Sequence, residues 1–405
     1  MTKAIPASVV AVLRCIAGIF LAILWFYGMA RFGLVEQLLA NPVAAFSYTG
    51  IFVLYLCSAP ARIEAGFVMV CATVIRLAIR GHAQAFDGFP FAPVVPVTAL
   101  MGYVSVGTLI VRWSVGKQPR KALEMLVRVL IFVVLGVAIG WIVEVASYLR
   151  PVKLDLFLYS LERAYGLPSF VVGRWFTALP SLTSIELLIY YSLPLGLAAT
   201  YAMHLKRPQP GVDVLLALYI NALVGFSLYI LYPACGPLYV FHNDFPSFAP
   251  VIGDLGISPL VMDCRPNAMP SLHIAGALLI FWNLRPFGRI RFAAFAFLIL
   301  TVLATLGFGE HYFVDLVVAL PYALAVQALA TDSRYKIHVT LLGAAGVVLW
   351  MMLFRYAIPL LVSSPPLLWL ITVATLVVTA FGRRLLISEP RALPIGGRLG
   401  LEAAN

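Results

Sequence analysis

Charged residues are scarce in this sequence: Asp, Glu, Lys and Arg make up 11% of its 405 residues, whereas 62% are hydrophobic. A soluble chain of this length would form two or three domains and carry about 25% charged residues. The composition therefore excludes a soluble globular protein.

Cysteine and histidine are also rare, with five and six residues. Cys15, Cys57 and Cys71 lie in or beside apolar runs, where we expect them to pack as small hydrophobic residues. No cysteine spacing matches a metal site. We therefore predict neither a metal centre nor a cofactor.

Long apolar runs dominate the chain, as in "VRVLIFVVLGVAIGWIVEVA" and "HVTLLGAAGVVLWMMLF". Crossing a bilayer takes about 20 apolar residues in a helix. The fold class is thus an all-α, polytopic transmembrane helical bundle. A removed signal peptide is not expected, because the first run has no small-residue cleavage site and many further runs follow it. By the length criterion about twelve spans are predicted, near residues 8–30, 41–59, 65–80, 90–111, 123–149, 184–204, 212–233, 271–284, 291–308, 311–331, 337–357 and 365–382.

The net charge of +11 has a simple origin in such a protein, since basic residues collect in cytoplasmic loops. Nucleic acid is therefore not an expected partner. If the spans alternate, the basic connections all fall on one side, which we take as the cytoplasm, together with both termini. These connections are 112–121, 206–210, 285–291, 333–336 and 382–384. The loop 234–270 and the turn at 307–313 then face the opposite, exoplasmic side.

The segment 150–180 is not predicted to span, because it mixes charges with aromatic residues and leucines at helical spacing. An amphipathic helix in the membrane interface and a solvated loop helix packed on the bundle both fit this pattern. The loop 234–270 is rich in Pro, Gly, Asp and Asn, and loops of that length are usually functional or disordered.

The first motif lies within "CRPNAMPSLH", residues 264–273. Pro270 is predicted to begin a helix with His273 in its first turn, where free backbone N–H groups favour an anion such as phosphate. Ser271 adds a hydroxyl donor. Arg265 and Asn267 would supply a guanidinium and an amide to the same phosphate.

The second motif is "GEHYFVDL", in which His311 and Asp315 are four residues apart and share a helical face. The carboxylate would accept a hydrogen bond from one ring nitrogen and leave the other free for nucleophilic chemistry. Both motifs fall at the exoplasmic ends of neighbouring spans. We therefore expect His273 and His311 to face each other across one cleft.

Taken together, "PSLH" and "HYFVD" resemble the second and third signature motifs of the type-2 phosphatidic acid phosphatase superfamily, most closely the inositol phosphorylceramide synthase branch. The resemblance implies a six-helix catalytic core over residues 150–332. It leaves 1–149 as a five-span region of unknown role, and 333–405 as two spans with a cytoplasmic tail.

The resemblance implies that His311 forms a phosphohistidine, that Asp315 orients it, and that His273 acts as acid and then base. The substrate would be a membrane lipid phosphate or phosphodiester. Water and an alcohol remain open as acceptors, and the branch favours an alcohol such as inositol or a sugar. The oligomeric state is not predicted.

This sequence departs from the superfamily pattern in its cations. Ser258 stands where the usual first motif has lysine, and Thr305 stands where the usual third motif has arginine. Arg265 would thus be the main phosphate cation. "YPACGP", residues 232–237, resembles the motif that replaces the first motif in the inositol-transferring branch.

Two further hypotheses concern the loop cysteines and the class of protein. Cys235 and Cys264 bracket most of the exoplasmic loop, and we predict a disulfide, with two free thiols as the alternative.

A polytopic lipid or solute transporter is the alternative function, because Glu144, Glu186 and Arg128 lie inside apolar runs. The paired halves typical of transporters are not visible in the sequence.

Overall fold

The computed structural model describes residues 7–31, 33, 35, 40–79, 94–209, 211–251 and 257–388. Helices make up 80% of the described residues, which agrees with the predicted all-α class. His82, loop residues 252–256 and tail residues 389–405 lie outside the described residues.

The helices, in chain order, are α1 (Ala7–Arg31), α2 (Pro42–Cys57), α3 (Arg62–Ala78), α4 (Val94–Val115), α5 (Pro119–Leu149), α6 (Asp155–Ala164), α7 (Pro168–Ala178), α8 (Pro180–Tyr191), α9 (Leu193–Lys206), α10 (Val214–Leu231), α11 (Pro237–Phe241), α12 (Leu272–Leu284), α13 (Ile290–Gly307), α14 (Phe313–Leu329), α15 (Lys336–Tyr356), α16 (Ile358–Ser363) and α17 (Pro365–Ser388). A short 3₁₀ helix covers His242–Asp244. Two short strands, β1 (Val152–Lys153) and β2 (Leu260–Val261), pair antiparallel with Val152 opposite Val261.

The number of membrane spans differs from the predicted twelve. Among the described residues, six helices are long and apolar enough to cross a bilayer: Ser8–Gly28 within α1, and α4, α10, α13, α15 and α17. Helices α8 and α9 meet at a bend of 52° and make a seventh span if they are counted as one. These helices indicate an integral membrane protein, but the count of twelve is not confirmed.

Three further predicted spans are apolar helices of fewer than 18 residues, namely α2, α12 and α14. A helix of 13 to 17 residues rises only about 20–25 Å, whereas the hydrocarbon core is about 30 Å thick. Hydrophobicity in the sequence predicted these helices: 271–284 matches α12 to within one residue, whereas 41–59 and 311–331 are longer than α2 and α14. In α5, the side chains of residues 135–139 lie outside the described set.

The chain forms two compact units, each built from two segments that are separate in the sequence. One contains residues 1–141 and 177–207, and the other contains 142–176 and 208–405. In the first unit, α2 packs against α4 and α9. Arg112 ties this unit's polar groups together, donating to Ser58 Oγ at 2.8 Å and lying 3.6 Å from Glu64.

The second unit is organised around α14, which is buried along most of its length and packs against α12, α15 and α17. A pair of amides joins α12 to α14: Asn283 Nδ2 donates to Gln327 Oε1 at 2.8 Å, and Gln327 Nε2 donates back at 3.2 Å. Such paired polar side chains link helices where water is excluded. Both motif histidines belong to this unit.

Polar side chains at two helix starts determine where those histidines lie. Ser271 caps α12 by accepting from the N–H of Ile274 at 3.4 Å, and Asp315 accepts from the N–H of Tyr312 at 2.7 Å at the start of α14. Capping of this kind satisfies the N–H groups that a helix start leaves free. The caps place His273 in the first turn of α12 and His311 two residues before α14.

Candidate active site

The two motif histidines lie side by side, as the sequence predicts. The ring centroids of His273 and His311 are 6.1 Å apart, and the rings are inclined at 65°. His311 is 1% exposed, whereas His273 is only partly buried. Two imidazoles at this spacing can act on the two sides of one phosphorus atom.

His311 is oriented by a backbone carbonyl. Its Nδ1 lies 2.9 Å from Ala268 O but 3.6 Å from Asp315 Oδ2. Because a carbonyl can only accept, Nδ1 carries the proton and Nε2 keeps its lone pair. The sequence assigned this hydrogen bond to Asp315, whereas in the structure the carboxylate stands just beyond hydrogen-bond distance.

Asp315 has a local role that explains that distance. Its Oδ2 is already held by the N–H of Tyr312, and its backbone oxygen accepts from the N–H of Ser271 at 3.2 Å. The side chain is fully buried, and Oδ1 has no hydrogen-bond partner among the described residues. Asp315 thus joins the starts of α12 and α14, and its carboxyl group faces the ring of His311.

Asn267 is hydrogen-bonded to Glu310, the residue that precedes His311. Asn267 Nδ2 donates to Glu310 Oε2 at 3.4 Å, and the hydroxyl of Tyr239 donates to the same carboxyl group at 3.2 Å. Burial raises the pKa of Glu310, while the neighbouring His311 lowers it. The amide that the sequence assigned to phosphate is therefore engaged by a carboxyl group in this structure.

Arg265 forms an ion pair with Glu144. Its Nη2 lies 2.8 Å from Glu144 Oε2, and the two side chains are 71% and 63% exposed. This pair also accounts for Glu144, one of the charges that the sequence places inside an apolar run. The predicted site residues linked by contacts are His273, His311, Asp315, Ser271 and Asn267, whereas the described contact of the Arg265 side chain is with Glu144.

The two loop cysteines form a disulfide between Cys235 and Cys264. It joins the turn after α10 to the segment that leads into α12. The same segments are tied by the carbonyl of Ala234, which accepts from the N–H groups of Asn267 and Ala268 at 3.0 Å. Because Ala268 in turn orients His311, this turn supports the site through two bonds.

A buried carboxylate missed in the sequence holds these turns in place. Asp155, the first residue of α6, is fully buried and accepts from the N–H of Gly236 at 2.9 Å and of Cys235 at 3.0 Å. The hydroxyl of Tyr312, next to His311, donates to it at 3.2 Å. Burial raises the pKa of Asp155 to about 6, although these hydrogen bonds lower it.

Glu162, seven residues after Asp155 on α6, also accepts hydrogen bonds from backbone N–H groups. It is fully buried and accepts from the N–H of Ser169 and of Phe313, each at 2.7 Å. Burial raises its pKa, and the two backbone bonds oppose that rise. The N–H of Phe313 belongs to the start of α14, so Glu162 also anchors the segment that carries His311.

One signal in the sequence marks these two acids. Asp155 and Glu162 are seven residues apart and thus share a helical face with Tyr159, which is also buried. The segment 150–180 contains α6 and α7, and most residues of α6 are buried. A position in the membrane interface remains a prediction for this segment.

Comparison with known proteins agrees with this geometry. Residues 156–329 match the sequence model of the PAP2 superfamily, and this segment includes both motif histidines, Asp315 and the disulfide. The match supports a phosphatase-type enzyme, either a lipid phosphatase or a phosphotransferase. No curated protein matches the chain, and no solved structure matches it. The match covers less than half of the chain and contains nothing specific to the inositol phosphorylceramide synthase branch.

Proposed function

We propose that this protein transfers a phosphoryl-containing group of a membrane lipid through a phosphohistidine at His311. The observation that carries the proposal is the pairing of two imidazoles 6.1 Å apart, one of which has Nδ1 held by Ala268 O. That hydrogen bond leaves Nε2 as the nucleophilic atom.

The proposed reaction has two steps. In the first, His311 Nε2 attacks phosphorus, the bond from phosphorus to the leaving oxygen breaks, and His273, which enters as the imidazolium, gives one proton to that oxygen and becomes neutral. In the second, His273 removes the proton from an acceptor hydroxyl, the acceptor oxygen attacks phosphorus, and the P–N bond breaks to restore His311. Asp315, 3.6 Å from the His311 ring, would stabilise the positive charge that develops on it.

We further propose that the substrate is a phosphodiester and the acceptor an alcohol such as inositol or a sugar. The cation that the sequence assigns to phosphate, Arg265, is paired with Glu144. A diester carries one negative charge where a monoester carries up to two, so it needs fewer cations to bind. The resemblance of "PSLH" and "HYFVD" to the inositol-transferring branch supports the same choice.

The side of the membrane is part of the proposal. We place His273 and His311 on the exoplasmic side and the loop 285–291 on the cytoplasmic side, on the basis of the lysines and arginines in the connections. The disulfide supports this placement, because such bonds persist in oxidising compartments. Labelling of single introduced cysteines in intact cells tests it, and a label at position 289 but not at 243 would reverse the assignment.

The decisive experiment incubates the purified protein with labelled lipid phosphates and phosphodiesters, with and without polyols. The variants are His311→Ala and His273→Ala, with His338→Ala as a control at an exposed histidine. We expect an acid-labile, base-stable phosphoenzyme that is lost in His311→Ala and retained in the control. Full activity in both site variants would refute the mechanism, and transfer to water alone would refute the alcohol acceptor.

A further inference from the structure

A cavity lined by arginines lies at the C-terminal end of α12. Four arginines line it, namely Arg285, Arg291, Arg383 and Arg384, together with Trp282, and its volume is about 500 Å³. We call it the arginine pocket. A neighbouring cavity of about 320 Å³ shares Arg285 and Arg291 and is otherwise lined by Phe281, Phe292 and Phe295.

The four arginines come from three helices that meet at this end of the second unit. Arg285 directly follows α12, Arg291 lies in the first turn of α13, and Arg383 and Arg384 belong to the last turns of α17. A cation is favourable at a helix C-terminus but unfavourable at an N-terminus, where Arg291 lies. Local helix electrostatics therefore do not explain the whole cluster.

The positive charge of the pocket is not neutralised by the described protein. Among the described residues, no carboxylate forms an ion pair with any of its four arginines. Arg383 packs against the ring of Trp282 at 5.7 Å, and its buried Nε has no hydrogen-bond partner within the described part of the chain. Guanidinium groups that converge in this way repel each other unless an anion lies between them.

The chemistry of the lining defines the ligand. Guanidinium groups bind phosphate oxygens in bidentate fashion, so several arginines around one cavity fit a phosphate group. Phe292 and Phe295, beside the pocket on α13, are 61% and 49% exposed, and α13 is long and apolar enough to span a membrane. A phosphate group attached to acyl chains satisfies both surfaces.

We infer that the arginine pocket binds the phosphate group of an anionic phospholipid, at a site separate from the catalytic histidines. His273 and Arg285 are twelve residues apart on and just after α12, and a helix of that length rises about 18 Å. A single headgroup cannot reach both ends. The inference does not depend on the proposed reaction.

Native mass spectrometry of the full chain in a neutral detergent tests the inference. The ligands are dioctanoyl phosphatidylglycerol, the matching phosphatidylcholine, and inorganic phosphate as a competitor. The variants are Arg285→Gln and Arg383→Gln. Arg289→Gln is the control, because Arg289 lies in the same loop with the same charge but lines neither cavity.

We expect one bound phosphatidylglycerol that is lost, or weakened about tenfold or more, in the two pocket variants, since each removes a charge-assisted hydrogen bond. It should persist in Arg289→Gln and in His311→Ala, which shows that it does not occupy the catalytic site. Displacement by inorganic phosphate at equal affinity would keep the phosphate site but remove the need for a lipid. Equal weakening in Arg289→Gln, or no change in Arg285→Gln, overturns the inference. Arg285 is exposed, so its variant remains informative if Arg383→Gln does not fold.

Discussion

The two ends of α12 use charge in opposite ways. At its start, buried carboxylates accept hydrogen bonds from backbone N–H groups: Asp155 from Cys235 and Gly236, and Asp315 from Tyr312. At its end, arginines gather around a cavity without a described carboxylate partner. A site for chemistry needs fixed geometry, which internal hydrogen bonds supply. A site for an anionic ligand needs cations that are still open to it.

The largest expected difference between the two ends is in catalysis. His273→Ala should lower kcat about 10²- to 10⁴-fold, the range that positioned acid–base groups contribute. Arg289→Gln, at the opposite end, should leave kcat unchanged. Steady-state kinetics with a labelled phosphodiester measure both, and a tenfold loss in Arg289→Gln would erase the distinction between the ends.

Breaking the disulfide should destabilise only the histidine end. Cys235 and Cys264 are 29 residues apart, and closing a loop of that length stabilises by about 3–4 kcal/mol in the entropic model. We expect the double Cys→Ser variant to melt at lower temperature in detergent, with phosphatidylglycerol binding at the arginine pocket retained. Cys71→Ser, at a free cysteine, is the control. An unchanged melting temperature, or full alkylation of the native protein without reductant, would contradict the bond.

Glycines at the two ends offer a finer comparison. Gly236 has φ +105, and a Cβ there would lie 2.5 Å from the carbonyl oxygen of Glu310. Gly288, in the connection between α12 and α13, has φ +60, and a Cβ there would meet nothing within 4 Å. Gly236→Ala should cost about 2–3 kcal/mol and lower activity, because Glu310 precedes His311.

Gly288→Ala should cost only the left-handed backbone term, about 1 kcal/mol. Thermal unfolding of both variants in the same detergent compares the two losses of stability. Equal melting temperatures would mean that the turn at Gly236 yields without disturbing the site.

The smallest expected effect is on the way in which the free energy of unfolding depends on pH. The pKa of Asp155 is raised by burial to about 6, above its value in the unfolded chain. The folded protein therefore keeps a proton between about pH 4 and 6 that the unfolded chain has lost. The contribution of Asp155 to the free energy of unfolding should thus fall as pH rises through this window.

Asp155→Asn removes that titration and should flatten the stability profile over the same window. Glu162 has a raised pKa of the same sign, so part of the slope will remain. Melting temperatures measured in steps of half a pH unit provide the comparison. A steeper fall of stability with pH in Asp155→Asn would show that the contribution of Asp155 rises with pH instead of falling.

Local patterns in the sequence were sufficient for the helical class and for the two motifs. Apolar runs predict helices because helix periodicity and length follow directly from neighbouring residues. The start of α12 at "PSLH" and the spacing of His311 from Asp315 are likewise local, and the two histidines were correctly expected to face each other. The count of twelve spans is not confirmed, and three of the predicted spans are apolar helices of fewer than 18 residues.

Other contacts between residues far apart in the chain were not predicted from the sequence. The Ala268 carbonyl that orients His311 lies 43 residues away along the chain, and Arg265 pairs with Glu144. A backbone carbonyl has no signature in the sequence, and one arginine can pair with any acid that folding brings near it.

The sequence alone determined a helical membrane protein with two histidine motifs, because hydrophobicity and helix capping act between close neighbours. Only the tertiary structure decided that Asp155 and Glu162 support the turns beside the two histidines and that four arginines converge at the far end of α12. The reason is physical: burial and charge convergence depend on which helices pack together. That packing is set by contacts between residues far apart in the chain.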